Sequence, residues 1–183
     1  MAVQTQRMTV EEFDEFVGRS EHADKLFEYI GGEVVEVVSS QRSSAIAYNV
    51  GFFIKLHLRT HNIAGLVTGA DGGYEVAGER YIPDVAFVSA ARQAEPSERA
   101  YSPIPPDLAV EVLSPSNTPH EMRLKVVNYL AAGTTVWIVD PDRQLVEVYA
   151  PGHPGNTVRL DGTLDGGDVL PGFRLPVQDI FAS

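Results

Sequence analysis

Two carboxylates in this chain stand alone in apolar company. Glu111 interrupts the run from Leu108 to Leu113, and Asp84 follows Pro83 inside the segment Tyr81 to Val88. A carboxylate in a buried strand is costly unless a cation, a metal or hydrogen bonds compensate it. Period-two alternation places Asp84 with Ile82 and Ala86 on one face, and Glu111 with Asp107, Ala109 and Leu113. If the two strands are neighbours, the carboxylates converge. Two carboxylates beside a main-chain carbonyl make a hard-oxygen site suited to Mg²⁺ or Mn²⁺. A cation lies close in sequence: Lys125 has Met122 three residues before it and Tyr129 four after, so it shares a semi-apolar helical stripe and can turn toward the strand of Glu111.

These residues need elements to hold them. The run Leu108 to Leu113 suits a strand buried on both faces, although periodicity alone also admits a buried helical segment. Ser114 to Asn117 reads as a turn. The helix of Lys125 then starts with Thr118 as N-cap, Pro119 in the first position and Glu121 closing a capping box. Thr9 and Glu12 form a second capping box, opening a short helix to about Val17. Leu26 to Val38 reads as a strand or hairpin turning at Gly31-Gly32. Ser39 to Ser44 is loop-like, and Ile46, Val50, Phe53, Ile54 and Leu58 give a helix from Ser44 to His61. Strands are expected over Ala64–Val76 and Tyr81–Val88, joined near Gly78. An exposed loop follows from Ala91 to Pro106. Val136 to Asp140 and Leu145 to Tyr149 form an antiparallel pair around the turn at Pro141-Asp142. A last apolar cluster, from Val169 to Phe181, reads as an exposed tail able, with the hairpins, to support a homodimer. Strands and helices in this mixed order predict an α/β or α+β fold with a mixed sheet.

The 183 residues suffice for one domain, 1–183, with a real core. Cysteine is absent, which excludes disulfides, thiolate metal sites and a cysteine nucleophile. No stretch reaches the roughly 18 apolar residues of a membrane span, and the N-terminus has no signal-peptide core, so a cytoplasmic protein without membrane contact is expected. The net charge of −11 and a supply of only three lysines, Lys25, Lys55 and Lys125, weigh against broad electrostatic binding to DNA. A bound cation would offset part of that charge.

Pro83-Asp84 followed by Glu111-Val112-Leu113 resembles the P-D…(D/E)-x-K nuclease pattern with its lysine missing from the strand. More narrowly, the chain resembles the Uma2 family of restriction-endonuclease-like proteins, a bacterial branch of that superfamily. The matching pieces are Glu28 to Val34, Ile82 to Val88, Pro106 to Ser116, then Thr118, Lys125, Tyr129, Ala132-Gly133, Val136 to Pro141 and Leu170 to Phe181. Each is weak alone; their order and spacing together are specific, and they cover nearly the whole chain from about Met8. The resemblance implies a restriction-endonuclease-like core, a mixed sheet flanked by helices, with additional N-terminal and C-terminal β-hairpins. It implies DNA as partner and Mg²⁺ or Mn²⁺ as cofactor, held by Asp84, Glu111 and the Val112 backbone carbonyl. Lys125 takes the place of the displaced lysine, orienting or activating the attacking water and stabilising charge on the phosphate. Glu33, after the Gly-Gly turn, matches a recurrent acid that can complete the site.

Departures and rivals bear on these roles. Ser43 and Ser44 stand where relatives often carry a histidine, and Thr135-Val136-Trp137 where they often have Glu-Tyr-Trp. Glu121 is first a capping residue. Asp84 can also be a strand-end residue, and Glu111 with Lys125 a buried ion pair retained from an ancestor that lost activity. That reading gives a catalytically silent module binding DNA or a protein partner. His57 and His61 have helical zinc spacing but lack the glutamate of H-E-x-x-H, and histidines near a helix end also complement its dipole. Ser114 and Ser116 lie in no nucleophile elbow. Gly69 to Gly73 lacks the lysine of a phosphate loop and reads as a hairpin turn, and Asp140-Pro141-Asp142 as a plain turn.

Overall fold

A computed structural model describes residues 7–182. The first half of the chain forms α1 (Val10–Val17), β1 (Phe27–Ile30), β2 (Glu33–Glu36), α2 (Gln41–Thr60), β3 (Gly65–Thr68), β4 (Gly73–Val76), β5 (Glu79–Tyr81) and β6 (Val85–Ser89). The second half forms β7 (Tyr101–Ser102), β8 (Leu108–Val112), α3 (Pro119–Ala131), β9 (Thr135–Asp140), β10 (Leu145–Tyr149), β11 (Asn156–Arg159), β12 (Thr163–Asp165), β13 (Arg174–Pro176) and α4 (Val177–Ile180).

Strand β8 carries the apolar run and is buried along its whole length. It lies inside a six-stranded mixed sheet ordered β11-β10-β9-β8-β6-β3, in which β8 and β9 run parallel and the other pairs antiparallel. Parallel neighbours need a crossover, and α3 supplies it. Leu108, Val110 and Val112 point into a core with Ile46, Val50, Ile54 and Leu58 of α2. Ala109 points the other way, toward Tyr81, Tyr129, Val136 and Ile138. By alternation Glu111 shares that second face. A second sheet, ordered β2-β1-β5-β4-β7, also contributes to it through Ile30, Tyr74, Val76 and Tyr81.

Local start and stop signals behave as expected. Thr9 and Glu12 form a reciprocal capping box at α1, as Thr118 and Glu121 do at α3. Gly31 and Gly32 have φ of 60° and 89°, the two left-handed positions of a tight hairpin turn between β1 and β2. Helix α2 begins at Gln41, earlier than Ser44, because the Ser40 hydroxyl accepts from the Ser43 N–H and caps it.

Other expectations are corrected. Ala64–Val76 is two strands, β3 pairing with β6 in the larger sheet and β4 with β5 and β7 in the smaller. Gly69–Gly72 is thus a crossing between sheets, leading into β4 at Gly73, and not a hairpin turn. A Cβ on Gly73 would collide with the Ala100 carbonyl, so the β4–β7 approach requires glycine. Tyr81–Val88 is divided in the same way between β5 and β6. Pro83 has no N–H for a ladder, and Asp84 bonds through its side chain instead. The loop Ala91–Pro106 contains β7, where Tyr101 is buried and donates its hydroxyl to the Phe27 carbonyl. The apolar tail is not exposed. Leu170, Phe173, Leu175, Val177 and Ile180 close the core beneath α2, because their side chains meet the apolar face of the large sheet. They offer no free surface for a dimer.

Candidate active site

Strands β6 and β8 pair through Val85↔Val110, Ala86↔Ala109 and Phe87↔Leu108. One further step in that register sets Asp84 across from Glu111. Asp84 Oδ2 accepts from the Val112 N–H at 2.7 Å. The capping box fixes where α3 begins, and Lys125 falls on its inner side, with only 4% of its side chain exposed. Its Nζ stands 2.8 Å from Glu111 Oε1. It also donates to Glu28 Oε1 at 2.9 Å and to Oε2 at 3.2 Å. Glu28, on β1, accepts in addition from the Ile82 N–H at 2.6 Å. Tyr129, one turn beyond Lys125, donates its hydroxyl to Glu111 Oε1 at 2.9 Å. The ammonium lies 5.4 Å from the centre of the Tyr81 ring, and Asn128 donates to the Tyr81 hydroxyl.

Two carboxylates therefore meet one ammonium, and a third, Asp84, lines the same cleft. Burial pushes the Glu111 carboxyl up to about 8, against the pull of Lys125 and with the push of Glu28 and Asp84. Asp84 is raised by burial too, although the Val112 N–H and Lys125 draw it down. Burial would lower Lys125, but Glu111 and Glu28 outweigh it and hold the lysine protonated. Burial and the neighbouring Glu111 carboxylate both raise the Tyr129 hydroxyl far above its ordinary range.

The donor set fits a small hard cation in an open site. Asp84 spends Oδ2, and Glu111 spends Oε1, on protein donors. Asp84 Oδ1 and Glu111 Oε2 take no hydrogen bond among the described residues, where every buried polar side-chain atom is partnered, so both oxygens meet the cleft. A strand residue sends its N–H and C=O to the same edge. The Val112 carbonyl therefore faces the Asp84 side, beyond the end of β6. Among the described residues no cluster of three or more acids or histidines forms a closed metal cage. Mg²⁺ does not need one, since it commonly takes one or two carboxylates and keeps waters for substrate to replace.

The cleft holds about 80 Å³ and is lined by Glu28, Asp84, Glu111, Val112, Lys125 and also Ser43, near the N-terminus of α2. Glu121 reaches its rim while serving its capping box. Glu33 is not among the lining residues. It pairs with Ile30 beside the Gly-Gly turn, two residues farther along the hairpin from the Glu28–Val35 pair. The acid of the first hairpin that reaches the cleft is Glu28. The signal was available, since Glu28 is a lone acid between Phe27 and Tyr29 in an apolar strand, the same pattern that singles out Glu111. His57 and His61 are engaged otherwise, with His57 Nε2 on the Pro171 carbonyl and His61 Nδ1 on that of His57. Asp140 accepts from Asp142 and Arg143 N–H groups and is a turn residue.

A mixed sheet with a parallel β8–α3–β9 unit, acids at the facing ends of two central strands and a lysine on the crossover helix define a restriction-endonuclease-like α+β protein. The chain belongs to the Uma2 family, described as "Putative restriction endonuclease", whose model matches residues 10–178. It is similar in fold to the crystal structure of a putative nuclease belonging to DUF820 from Anabaena variabilis. That likeness has a TM-score of 0.80 at 22% identity and covers 95% of this chain and 97% of that one. No curated protein matches the chain. Among the described residues no helix is long and apolar enough to cross a membrane.

Proposed function

We propose that the protein is a metal-dependent endonuclease that hydrolyses phosphodiester bonds in DNA, with Asp84 and Glu111 as the ligands of Mg²⁺ or Mn²⁺. The observation that carries this reading is the crowding of three acids, Glu28, Asp84 and Glu111, into one cleft with Lys125 as its cation. Ionising all three there is costly, and a divalent cation would relieve that cost. When bound, the ion supplies Lewis-acid polarisation of the phosphodiester and a lowered pKa for the attacking water. Asp84 Oδ1, Glu111 Oε2 and the Val112 carbonyl would hold it. Lys125 fixes the Glu111 carboxylate and sets a positive charge beside the place where phosphate charge develops. Glu28 positions Lys125, and Tyr129 orients Glu111 from the other side.

A second reading, a catalytically silent module that binds DNA or a protein partner, is favoured by one observation. The ammonium of Lys125 already has two carboxylate partners, as in a self-sufficient buried ion cluster. Calorimetric titration of Mn²⁺ into wild type and Glu111→Ala separates the two. The nuclease reading expects micromolar to millimolar binding that disappears in the variant, together with Mg²⁺-dependent DNA cleavage. Cleavage by Glu111→Ala at the wild-type rate would overturn it, and Mn²⁺ binding absent both alone and with a short DNA duplex would favour the silent module.

A further inference from the structure

Asp84 lines two hollows. One is the cleft with Glu111 and Lys125; the other is a groove of about 450 Å³ along the outer side of α2, bordered by Tyr48, Gly51, Phe52, Lys55 and Thr68. Tyr48 and Phe52 are one helical turn apart and 76% and 51% exposed, and Lys55 follows on the same side. Phe52 is steadied by an edge-on contact with Phe53, at 5.3 Å between ring centres. The charge here is unlike the rest of the molecule. The protein carries 25 acids, yet the 20 residues of α2 include none, while Lys55 and Arg59 lie on it together with Arg42, which is paired with Asp142. Lys25 pairs with Glu36, and Lys125 with Glu28 and Glu111. Lys55 is the one lysine with no ion pair among the described residues.

From this we infer that the groove along α2 is the track for a single-stranded nucleic acid, with bases stacked on Tyr48 and Phe52, a phosphate at Lys55, and the strand running on to Asp84. The inference rests on the proposed nuclease reading and names its substrate class. Exposed aromatic faces interleaved with basic groups bind strands whose bases are unstacked, which the base pairs of a closed duplex cannot offer. A second copy of this chain fits the surface less well. An isologous contact through α2 would offer Lys55 and Arg59 no acid on the facing helix.

The test is fluorescence anisotropy with a labelled DNA oligonucleotide, as a single strand and as its duplex, in EDTA to prevent cleavage. Wild type is expected to bind the single strand more tightly than the duplex. Tyr48→Ala and Phe52→Ala should each weaken strand binding about tenfold, Tyr48→Phe should retain it, and Lys55→Glu should weaken it and flatten its salt dependence by about one phosphate contact. Glu111→Ala should bind the strand as wild type does, so loss of cleavage in that variant reports on hydrolysis alone. If Tyr48→Ala and Phe52→Ala bind the strand normally, or the duplex binds as tightly as the single strand, the inference is overturned while the nuclease reading stands. If wild type binds no strand and is a dimer that Tyr48→Ala dissociates, the surface is an interface between copies and the inference is again overturned. Aromatic-dependent strand binding without any cleavage would uphold the groove and remove the nuclease.

Discussion

The two faces of β8 are buried alike and filled differently. On the face toward α2, Leu108, Val110 and Val112 meet Trp137, Val139, Leu170, Phe173 and Leu175, and the packing is apolar but for His57, which lies edge-on to Phe173. On the face toward α3, two residues of the same short strand meet Tyr129, Lys125, Glu28 and Asp84. The apolar face gives stability in the ordinary way, by area removed from water. The charged face takes up the same space with groups whose desolvation offsets most of their mutual attraction. A strand that needed only to fold would repeat the first face on the second. The difference marks the α3 side as the place where chemistry is held.

Breaking the charged face should produce the largest effect. Lys125→Ala leaves Glu28 and Glu111 buried without their cation, and is expected to lower unfolding free energy by about 3–5 kcal/mol in urea or guanidinium titrations. A loss below about 1 kcal/mol would mean that the carboxylates escape to water or stay protonated. The matching cut on the apolar face, Phe173→Ala, should cost about 3–4 kcal/mol by losing transfer energy and opening a cavity. It should leave Mn²⁺ binding by the folded protein unchanged, whereas Lys125→Ala should alter it.

A second effect follows from pH. The Glu111 carboxyl is raised in the folded protein from an ordinary 4.5 to about 8. The stability contributed by its neutral form is therefore complete below about 4.5 and is lost as pH rises through about 8. Lys125, also raised, keeps its contribution across that window, since its own loss lies above its ordinary 10.5. Glu111→Gln should accordingly become more stable relative to wild type as pH climbs from 4.5 to 8, while losing Mn²⁺ binding throughout. Thermal unfolding of both proteins across that range checks the sign; a constant difference would contradict it. The smallest change is Tyr129→Phe. It removes one hydrogen bond to Glu111 and should lower stability by about 1–2 kcal/mol, with a weaker metal affinity that a purely structural hydroxyl would not produce.

Much of this was legible in the chain, for identifiable reasons. Thr118, Pro119 and Glu121 start α3 through contacts within four residues, and Gly31-Gly32 makes its turn from backbone freedom alone. The apolar run around Glu111 and the stripe Met122–Lys125–Tyr129 read as a buried strand and an inward-facing helix side because both periodicities are local. What misled were places where a local pattern continued across a change of sheet. Ala64–Val76 and Tyr81–Val88 look like uninterrupted strands, yet each crosses from one sheet to the other, at Gly69–Gly72 and at Ile82–Asp84.

The sequence by itself determined which residues are chemically out of place, Asp84 and Glu111 among apolar neighbours and Lys125 on the helix after them, because an acid in an apolar strand is a conflict visible within a few residues. It also determined the caps and the first hairpin turn. Only the tertiary structure decided that Glu28 holds Lys125, a pairing across 97 positions of chain. It likewise decided that the tail from Leu170 to Ile180 closes the core beneath α2. Both depend on which strands and faces meet, and such long-range pairings are settled by the summed burial of the whole core, which no short stretch of sequence contains.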